Sequence, residues 1–186
     1  MEIETLIDDL IAREGGFVDH PADRGGPTRW GVTEATARAS GYRGAMRDYP
    51  RSAAASLYRS RYWLAPRFDA AAARAPRLAA DLFDTGVNMG PAVATGFLQR
   101  ALTALNRQDR DYADIAVDGR IGPRTLAALD AFLAVRGDRG EIVLLKAVEA
   151  MQGERYLRLA EQRPANEAFL YGWLANRLAD PVENGA

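Results

Sequence analysis

Residues 14–33 read EGGFVDHPADRGGPTRWGVT, and the interpretation of the whole chain starts from this stretch. Its glycines, prolines and aspartates are typical of turns rather than of long helices or strands. We therefore predict a loop-and-hairpin lobe over residues 17–32. Val18 and the run Trp30-Gly31-Val32 are its candidate short strands.

An amphipathic helix precedes this lobe. Apolar residues recur at helical spacing through residues 3–14, and Gly15-Gly16 then supply a stop, so the helix is predicted to end at Glu14. The apolar positions are Ile3, Leu6, Ile7, Leu10 and Ile11.

Glu14 is the first candidate for catalysis. On a helical wheel it falls about 10° from the centre of the apolar arc, which predicts that its carboxylate faces the core. Burial and the negative end of the helix dipole both favour the protonated carboxyl that a general acid needs. The alternative is a frayed helix end that turns Glu14 to solvent.

The rest of the chain is predicted to be helical. Thr33 indicates the N-cap of a short helix that ends near Gly41, and Pro76 and Pro91 each indicate a first helical turn. Further helices are predicted over residues 52–63, 78–87, 93–105, 126–135, 142–162 and 168–178. The predicted fold class is mainly α with a small β element.

Composition excludes several reaction classes. The chain has no cysteine and a single histidine, His20, so thiol nucleophiles and the usual zinc ligand sets are missing. Carboxylate chemistry remains, with no metal or cofactor implied. Lys+Arg 24 against Asp+Glu 25 gives no basic excess, so we expect no nucleic-acid partner. Of the basic residues only Lys146 is lysine, which we ascribe to genome composition, although arginine also suits carboxylates on a substrate.

The amino terminus, Met1-Glu2-Ile3-Glu4, is acidic and leads directly into the first helix. It predicts no classical export signal, and no apolar run is long enough to predict a membrane span. We expect synthesis in the cytoplasm. We expect no stable association with a membrane, and we expect the protein to be a monomer.

Residues 14–33 resemble the signature of glycoside hydrolase family 108, the N-acetylmuramidases found among phage endolysins and bacterial secretion-associated muramidases. The Glu-Gly-Gly-aromatic opening, the Asp-x-Pro-x-Asp-x-Gly-Gly centre and the Thr-x-aromatic-Gly-hydrophobic-Thr end match in order. The resemblance implies a lysozyme-like fold and makes Glu14 the catalytic acid. A Glu, Asp, Thr triad as in phage lysozymes would add Asp23 and Thr28, although Thr28 lies one residue closer to the aspartate than in that pattern.

The resemblance continues along nearly the whole chain. It includes Tyr62-Trp63, residues 82–90 and residues 97–102, and VDGRIGPRTLAAL at 117–129 is similar to a helical peptidoglycan-binding region. Near the end, residues 172–177 carry one residue more than the family's Gly-Trp-Leu-Asn-Arg ending. We predict a catalytic region over 1–90 and a peptidoglycan-binding-like region over 91–186, packed into the same compact unit.

Each supporting residue also has a structural interpretation. Asp23 can tie the Gly25-Gly26 turn, and Thr28 can be an ordinary strand residue instead of a water-positioning hydroxyl.

The candidate substrate-binding residues are Trp30, Tyr62, Asn88 and His20. The two aromatic residues can stack on sugar rings or fill a core. Asn88 can bind an N-acetyl group or cap a helix, and His20 can line the cleft or be structural.

The resemblance implies hydrolysis of the bond between N-acetylmuramic acid and β-1,4-linked N-acetylglucosamine, with peptidoglycan strands as the partner. It therefore also implies action on the cell wall (periplasm) after release or non-classical export. Two alternatives remain open. A lytic transglycosylase uses a similar glutamate but forms an anhydro sugar, and a non-catalytic wall-binding protein with this fold would be expected to have lost Glu14.

Overall fold

The computed structural model describes residues 2–19 and 26–178. It is mainly α-helical with one small antiparallel sheet, which confirms the predicted fold class. The chain divides into two compact units, residues 1–65 and 66–186, and the predicted boundary at residue 90 falls inside the second. His20 and Asp23 lie outside the described residues.

The first unit opens with helix α1, Ile3–Glu14, as predicted. Ile7, Leu10 and Ile11 are its buried side chains, and it packs against a later helix of the same unit, α3 (Arg51–Tyr58). The helix ends at Glu14 because Gly15 turns away with φ +78°, while its N–H still donates to the Ile11 carbonyl at 3.2 Å.

The sheet follows α1. Strands β1 (Phe17–Val18), β2 (Thr28–Arg29) and β3 (Val32–Thr33) pair antiparallel in chain order. The expectation that Trp30 and Gly31 belong to a strand is wrong, because these two residues form the turn between β2 and β3. Both have positive φ, 55° and 74°, as the tight two-residue turn of a hairpin requires.

The remainder of the first unit is helical. Thr33 caps α2, Glu34–Ala39, by accepting the Thr36 N–H at 3.3 Å, which confirms the predicted cap. A 3₁₀ turn at Met46–Asp48 leads to α3, which runs without a break into the π-helical segment Arg59–Leu64. The single helix predicted over 52–63 is therefore present with a changed winding near its end.

The second unit contains helices α4 to α9. Their bounds are Phe68–Ala72, Pro76–Met89, Pro91–Leu105, Pro123–Arg136, Gly140–Gln162 and Glu167–Arg177. Pro76 and Pro91 stand at first helical positions, as predicted. Helix α5 (76–89) packs against α4, α6 and α8. None of the helices in the described ranges is long and apolar enough to span a membrane.

A buried glutamine fixes the long connection before α7. The Gln99 amide group donates to the Asp118 carboxylate at 2.8 Å and to the Thr125 hydroxyl at 3.1 Å. Its carbonyl oxygen accepts the Gly119 N–H at 2.9 Å. The Asp118-Gly119 turn is therefore tied to helix α6 and serves the fold.

Helices α5 and α8 enclose a polar cluster in which one carboxyl group is held in its neutral form. Asp81 has a buried Oδ2 with no hydrogen-bond partner among the described residues. Burial, and after it the negative charges of Glu149 and Asp84, raise the pKa of Asp81 to about 8. Asp84 itself forms an ion pair with Arg177 at 3.2 Å.

This cluster predicts a pH dependence of stability. The pKa of Asp81 in the folded protein lies above its unfolded value of about 3.9. Its contribution to the free energy of unfolding is therefore full below about pH 4 and is lost as the pH rises to about 8. Asp81→Asn should remove that part of the decline, which urea unfolding at pH 5, 7 and 9 measures. The exposed Glu161→Gln on α8 should leave the decline unchanged. Equal declines in wild type and Asp81→Asn would contradict the assignment.

Candidate active site

Glu14 lies at the carboxyl end of α1 with its side chain exposed. The prediction that it faces the core is wrong. Glu14 is exposed, as in the alternative, but the helix end is not frayed, since the Gly15 N–H closes it at the Ile11 carbonyl. The apolar stripe of α1 is buried only as far as Ile11. Beyond that point the stem of Glu14 faces the hairpin turn, since a Cβ built on Gly31 would lie 2.9 Å from its Cγ.

Gly31 leaves no room for a side chain. A Cβ at this position would lie 2.4 Å from the Tyr58 hydroxyl oxygen as well as against Glu14, and the φ of +74° disfavours any other residue. The absence of a Cβ thus lets the turn, the glutamate and the tyrosine come together.

Tyr58 joins helix α3 to this turn. Its side chain is buried, and its hydroxyl donates to the Trp30 carbonyl at 3.0 Å. Burial raises the pKa of Tyr58, and the negative charge of nearby Glu14 raises it further. The phenol therefore stays protonated and remains a hydrogen-bond donor beside the carboxylate.

Trp30 is held in an uncommon conformation, with φ +55° in a residue that has a Cβ. Its indole N–H donates to the Tyr49 carbonyl at 3.1 Å, and the Arg29 guanidinium lies 5.2 Å from the centre of its ring. The indole N–H is thus used to fix the turn, while the half-buried ring stays at the surface of the unit.

Tyr62 lies in the π-helical segment, four residues after Tyr58. The two rings are 5.8 Å apart and inclined by 42°, and Tyr62 is half-buried. π-Helical turns inside α-helices are frequent at functional sites. Here the segment places a second tyrosine next to the one that contacts the Glu14 turn.

Thr28 begins the central strand β2, where it pairs with Val18 and Thr33. Its half-buried hydroxyl donates to the Gly26 carbonyl at 3.3 Å. The structure thus places Thr28 in the same sheet as the Trp30–Gly31 turn.

Asn88 lies in the second unit, in the last turn of α5. It is exposed, and its amide donates to the Asp84 carbonyl at 2.8 Å and to the Asp84 carboxylate at 3.1 Å. The structure brings together Glu14, Trp30 and Tyr62 around the hairpin turn, whereas Asn88 belongs to a separate part of the chain.

Sequence reasoning missed two members of the site, Gly31 and Tyr58. A tyrosine at helical spacing is typical of a core aromatic, which agrees with the burial of Tyr58, but its hydroxyl contact with the Trp30 carbonyl has no sequence signal. Gly31 did have one, because an isolated glycine inside a strand pattern often marks a turn or a close approach of another group.

Comparison with known proteins identifies the family. Residues 7–90 match the family described as glycosyl hydrolase 108, and residues 93–178 match the family described as "Predicted Peptidoglycan domain". Residues 7–90 belong to the glycosyl hydrolase 108 family. The resemblance seen in residues 14–33 is confirmed, and the chain is a glycoside hydrolase with peptidoglycan as a partner.

A solved structure supports the fold. The structure described as "Structure of Brucella abortus SagA" has a TM-score of 0.58 and 23% sequence identity, over 96% of this chain and 96% of that one. Among curated proteins, none matches this sequence. The predicted lysozyme-like, mainly α fold is confirmed.

The close approach at Gly31 predicts a strong effect of adding one methyl group. Gly31→Ala should displace Glu14 or Tyr58 and lower glycan hydrolysis at least tenfold, or roughly 1.4 kcal/mol in the transition state. Gly41→Ala is the matched control, because Gly41 also has a positive φ of 92° but no atom within 4 Å of the added Cβ. Both variants should lose about 1 kcal/mol of stability from backbone strain. Equal activities of the two variants would contradict the role of Gly31.

Proposed function

We propose that this protein hydrolyses the β-1,4 bond between N-acetylmuramic acid and N-acetylglucosamine in peptidoglycan, with Glu14 as the general acid. This proposal is supported above all by the residues that pack around Glu14. An exposed carboxylate at the end of α1 packs on the glycine of a strained hairpin turn, beside a buried tyrosine hydroxyl. It lies within the segment that matches the glycosyl hydrolase family.

In this mechanism, protonated Glu14 gives its proton to the glycosidic oxygen as the bond to the muramoyl C1 breaks. Glycosidases place such an acid next to the leaving oxygen and stabilise an oxocarbenium-like transition state. Exposure of Glu14 allows a polymer to reach it. The close approach of Gly31 to the Glu14 stem limits the positions that this side chain can adopt, which favours an oriented proton transfer.

The attacking water requires a second group on the opposite face of the sugar. We assign this role to Asp23 and Thr28. The Thr28 hydroxyl donates to the Gly26 carbonyl, so its oxygen lone pairs are left to accept a hydrogen bond from water. Asp23 would take the proton that water loses, and the product would have inverted configuration.

The sugar-binding residues in this proposal are Trp30, Tyr62, Asn88 and His20. Trp30 and Tyr62 each contact Tyr58, and aromatic rings of this kind stack on the apolar surfaces of sugars. We assign Asn88 and His20 to contacts with N-acetyl groups and the cleft wall, as the family resemblance implies. The site of action is the cell wall.

Replacing the acid gives the primary test. Glu14→Gln should keep the fold and lower the release of muropeptides from purified sacculi by about 100-fold or more, because it removes the transferable proton. Asp9→Asn, an exposed carboxylate on the same helix, is the matched control and should retain full activity. Mass spectrometry of the products distinguishes hydrolysis, with reducing muramic acid, from transglycosylation, with an anhydro end. Activity of Glu14→Gln within about tenfold of wild type would overturn the proposal.

We further propose that residues 91–186 are a built-in part of the enzyme and not a detachable binding module. Helices α5 and α6 meet at Gly90-Pro91 without a linker and pack on each other within the second unit. Leu78, Leu82, Leu98 and Leu102 are fully buried in that unit. A cut at residue 90 would expose this apolar surface on both fragments.

Fragment unfolding tests this organisation. Fragments 1–90 and 92–186 should each lack a cooperative thermal transition, because the cut separates α5 from α6 and α8. The fragment 66–186, which retains α5, should unfold cooperatively and serves as the control. If 92–186 folds alone and binds sacculi, a detachable module is the correct description.

A further inference from the structure

Two arginines converge on one aromatic residue of the hairpin sheet. Arg29 in β2 pairs directly with Phe17 in β1, so their side chains share one face of the sheet. The Arg47 guanidinium, from the 3₁₀ turn that packs against β2, lies 5.9 Å from the centre of the Phe17 ring. We call Phe17, Arg29 and Arg47 the arginine patch.

The positive charges of this patch have no carboxylate partner among residues 2–19 and 26–178. Arg29 and Arg47 form neither an ion pair nor a side-chain hydrogen bond with that part of the chain, and the Nε of Arg29 is buried without an acceptor. Three other arginines of the first unit do form ion pairs with carboxylates. The paired arginines are Arg38 with Glu34, Arg51 with Asp8 and Arg59 with Glu4.

The patch lies next to the candidate active site within the first unit. Phe17 follows Glu14 by three residues, and Arg29 precedes the Trp30–Gly31 turn against which Glu14 packs. Arg29 also stacks on Trp30, with its guanidinium carbon 5.2 Å from the centre of the ring. A sugar held by Trp30 would therefore bring its substituents to the guanidinium groups.

A guanidinium stacked on an aromatic ring keeps its planar donor edge free, and this edge matches a carboxylate in geometry and charge. A buried donor without an acceptor is costly, and a carboxylate would supply the missing acceptor. We propose that the arginine patch binds a carboxylate attached to the muramoyl residue and so selects muramoyl glycan over uncharged glycan. This inference rests on the proposed function and names the part of the substrate that the site recognises.

The carboxylate has two possible sources on the same sugar. In an intact strand the lactyl carboxyl group is in amide linkage, so the negative charge comes from the peptide stem. In a strand stripped of peptides, the lactyl carboxylate itself is free. Three substrates separate these cases: native peptidoglycan, the same material with its carboxylates converted to amides, and glycan stripped by an amidase.

Kinetics of substituted full-length protein tests the proposal. Arg29→Gln and Arg47→Gln should each raise KM for native peptidoglycan about tenfold and leave kcat nearly unchanged, because a charge-assisted contact made in the bound state is lost. On the amidated substrate both variants should match wild type, whose own KM should be about tenfold higher than on native material. Arg51→Gln, an exposed arginine paired with Asp8, is the matched control.

The stripped glycan identifies the source of the charge. If the variants raise KM there as well, the patch binds the free lactyl carboxylate in addition to the carboxylates of the stem peptide, and if they do so only on native strands, the stem peptide alone is the ligand. The same KM change on native and amidated substrates, or no change on either, overturns the inference.

A binding measurement separates failure of this inference from failure of the proposed function. In an NMR titration, a soluble disaccharide peptide should bind wild type about tenfold more tightly than its amidated form, and Arg29→Gln should abolish that difference. Preference for the charged form without any glycan cleavage would refute the proposed hydrolysis alone. Cleavage with no preference for the charged form would refute the arginine patch alone. Arg47→Gln provides the same comparison at an exposed position, where folding is not at risk.

Discussion

The hydrogen bond from the Tyr58 hydroxyl to the Trp30 carbonyl is the contact on which the candidate site depends. It holds a turn in which both central residues have positive φ, an arrangement that costs free energy in tryptophan. This turn contains Gly31, and the stem of Glu14 packs against that glycine. Without this bond, α1 would end in an unconstrained glutamate next to a strained hairpin.

The same constraint explains why the first unit uses aromatic residues near the turn. Tyr49 accepts the indole N–H of Trp30 through its backbone carbonyl, and Tyr62 packs beside Tyr58. Strain in the turn is thus balanced by hydrogen bonds from large, well-packed side chains. The second unit instead contains buried polar groups, namely the Gln99 side chain and the Oδ2 atom of Asp81.

The sequence predicted the periodic elements well because their signals are local. The apolar stripe of α1, the Thr33 cap and the prolines at 76 and 91 all act within one helical turn, and the structure has each of them. The direction of Glu14 could not be predicted in this way. A helical wheel gives a face, but the contact with Gly31 comes from residues 17 positions later, and Gly31 was itself assigned to a strand.

The candidate site was likewise only partly predictable from the sequence, because some of its contacts join residues far apart in the chain. Glu14, Trp30 and Tyr62 were identified from sequence and lie around one turn. The role of Tyr58, and the lack of a carboxylate partner for Arg29 among the described residues, emerge only from the packing of α3 and the sheet. The bias toward arginine was ascribed to genome composition. That explanation accounts for the number of arginines but not for two of them meeting at Phe17 without carboxylate partners in the described chain.

The central claim is that Glu14 delivers a proton to the glycosidic oxygen. The most direct measurement is a crystal structure of Glu14→Gln in complex with a peptidoglycan tetrasaccharide that spans the cleaved bond. Our account predicts that the side-chain amide at position 14 lies about 3 Å from the glycosidic oxygen, with the Gly31 contact intact. A bound tetrasaccharide whose glycosidic oxygen faces another acidic side chain, with position 14 out of hydrogen-bonding reach, would contradict it.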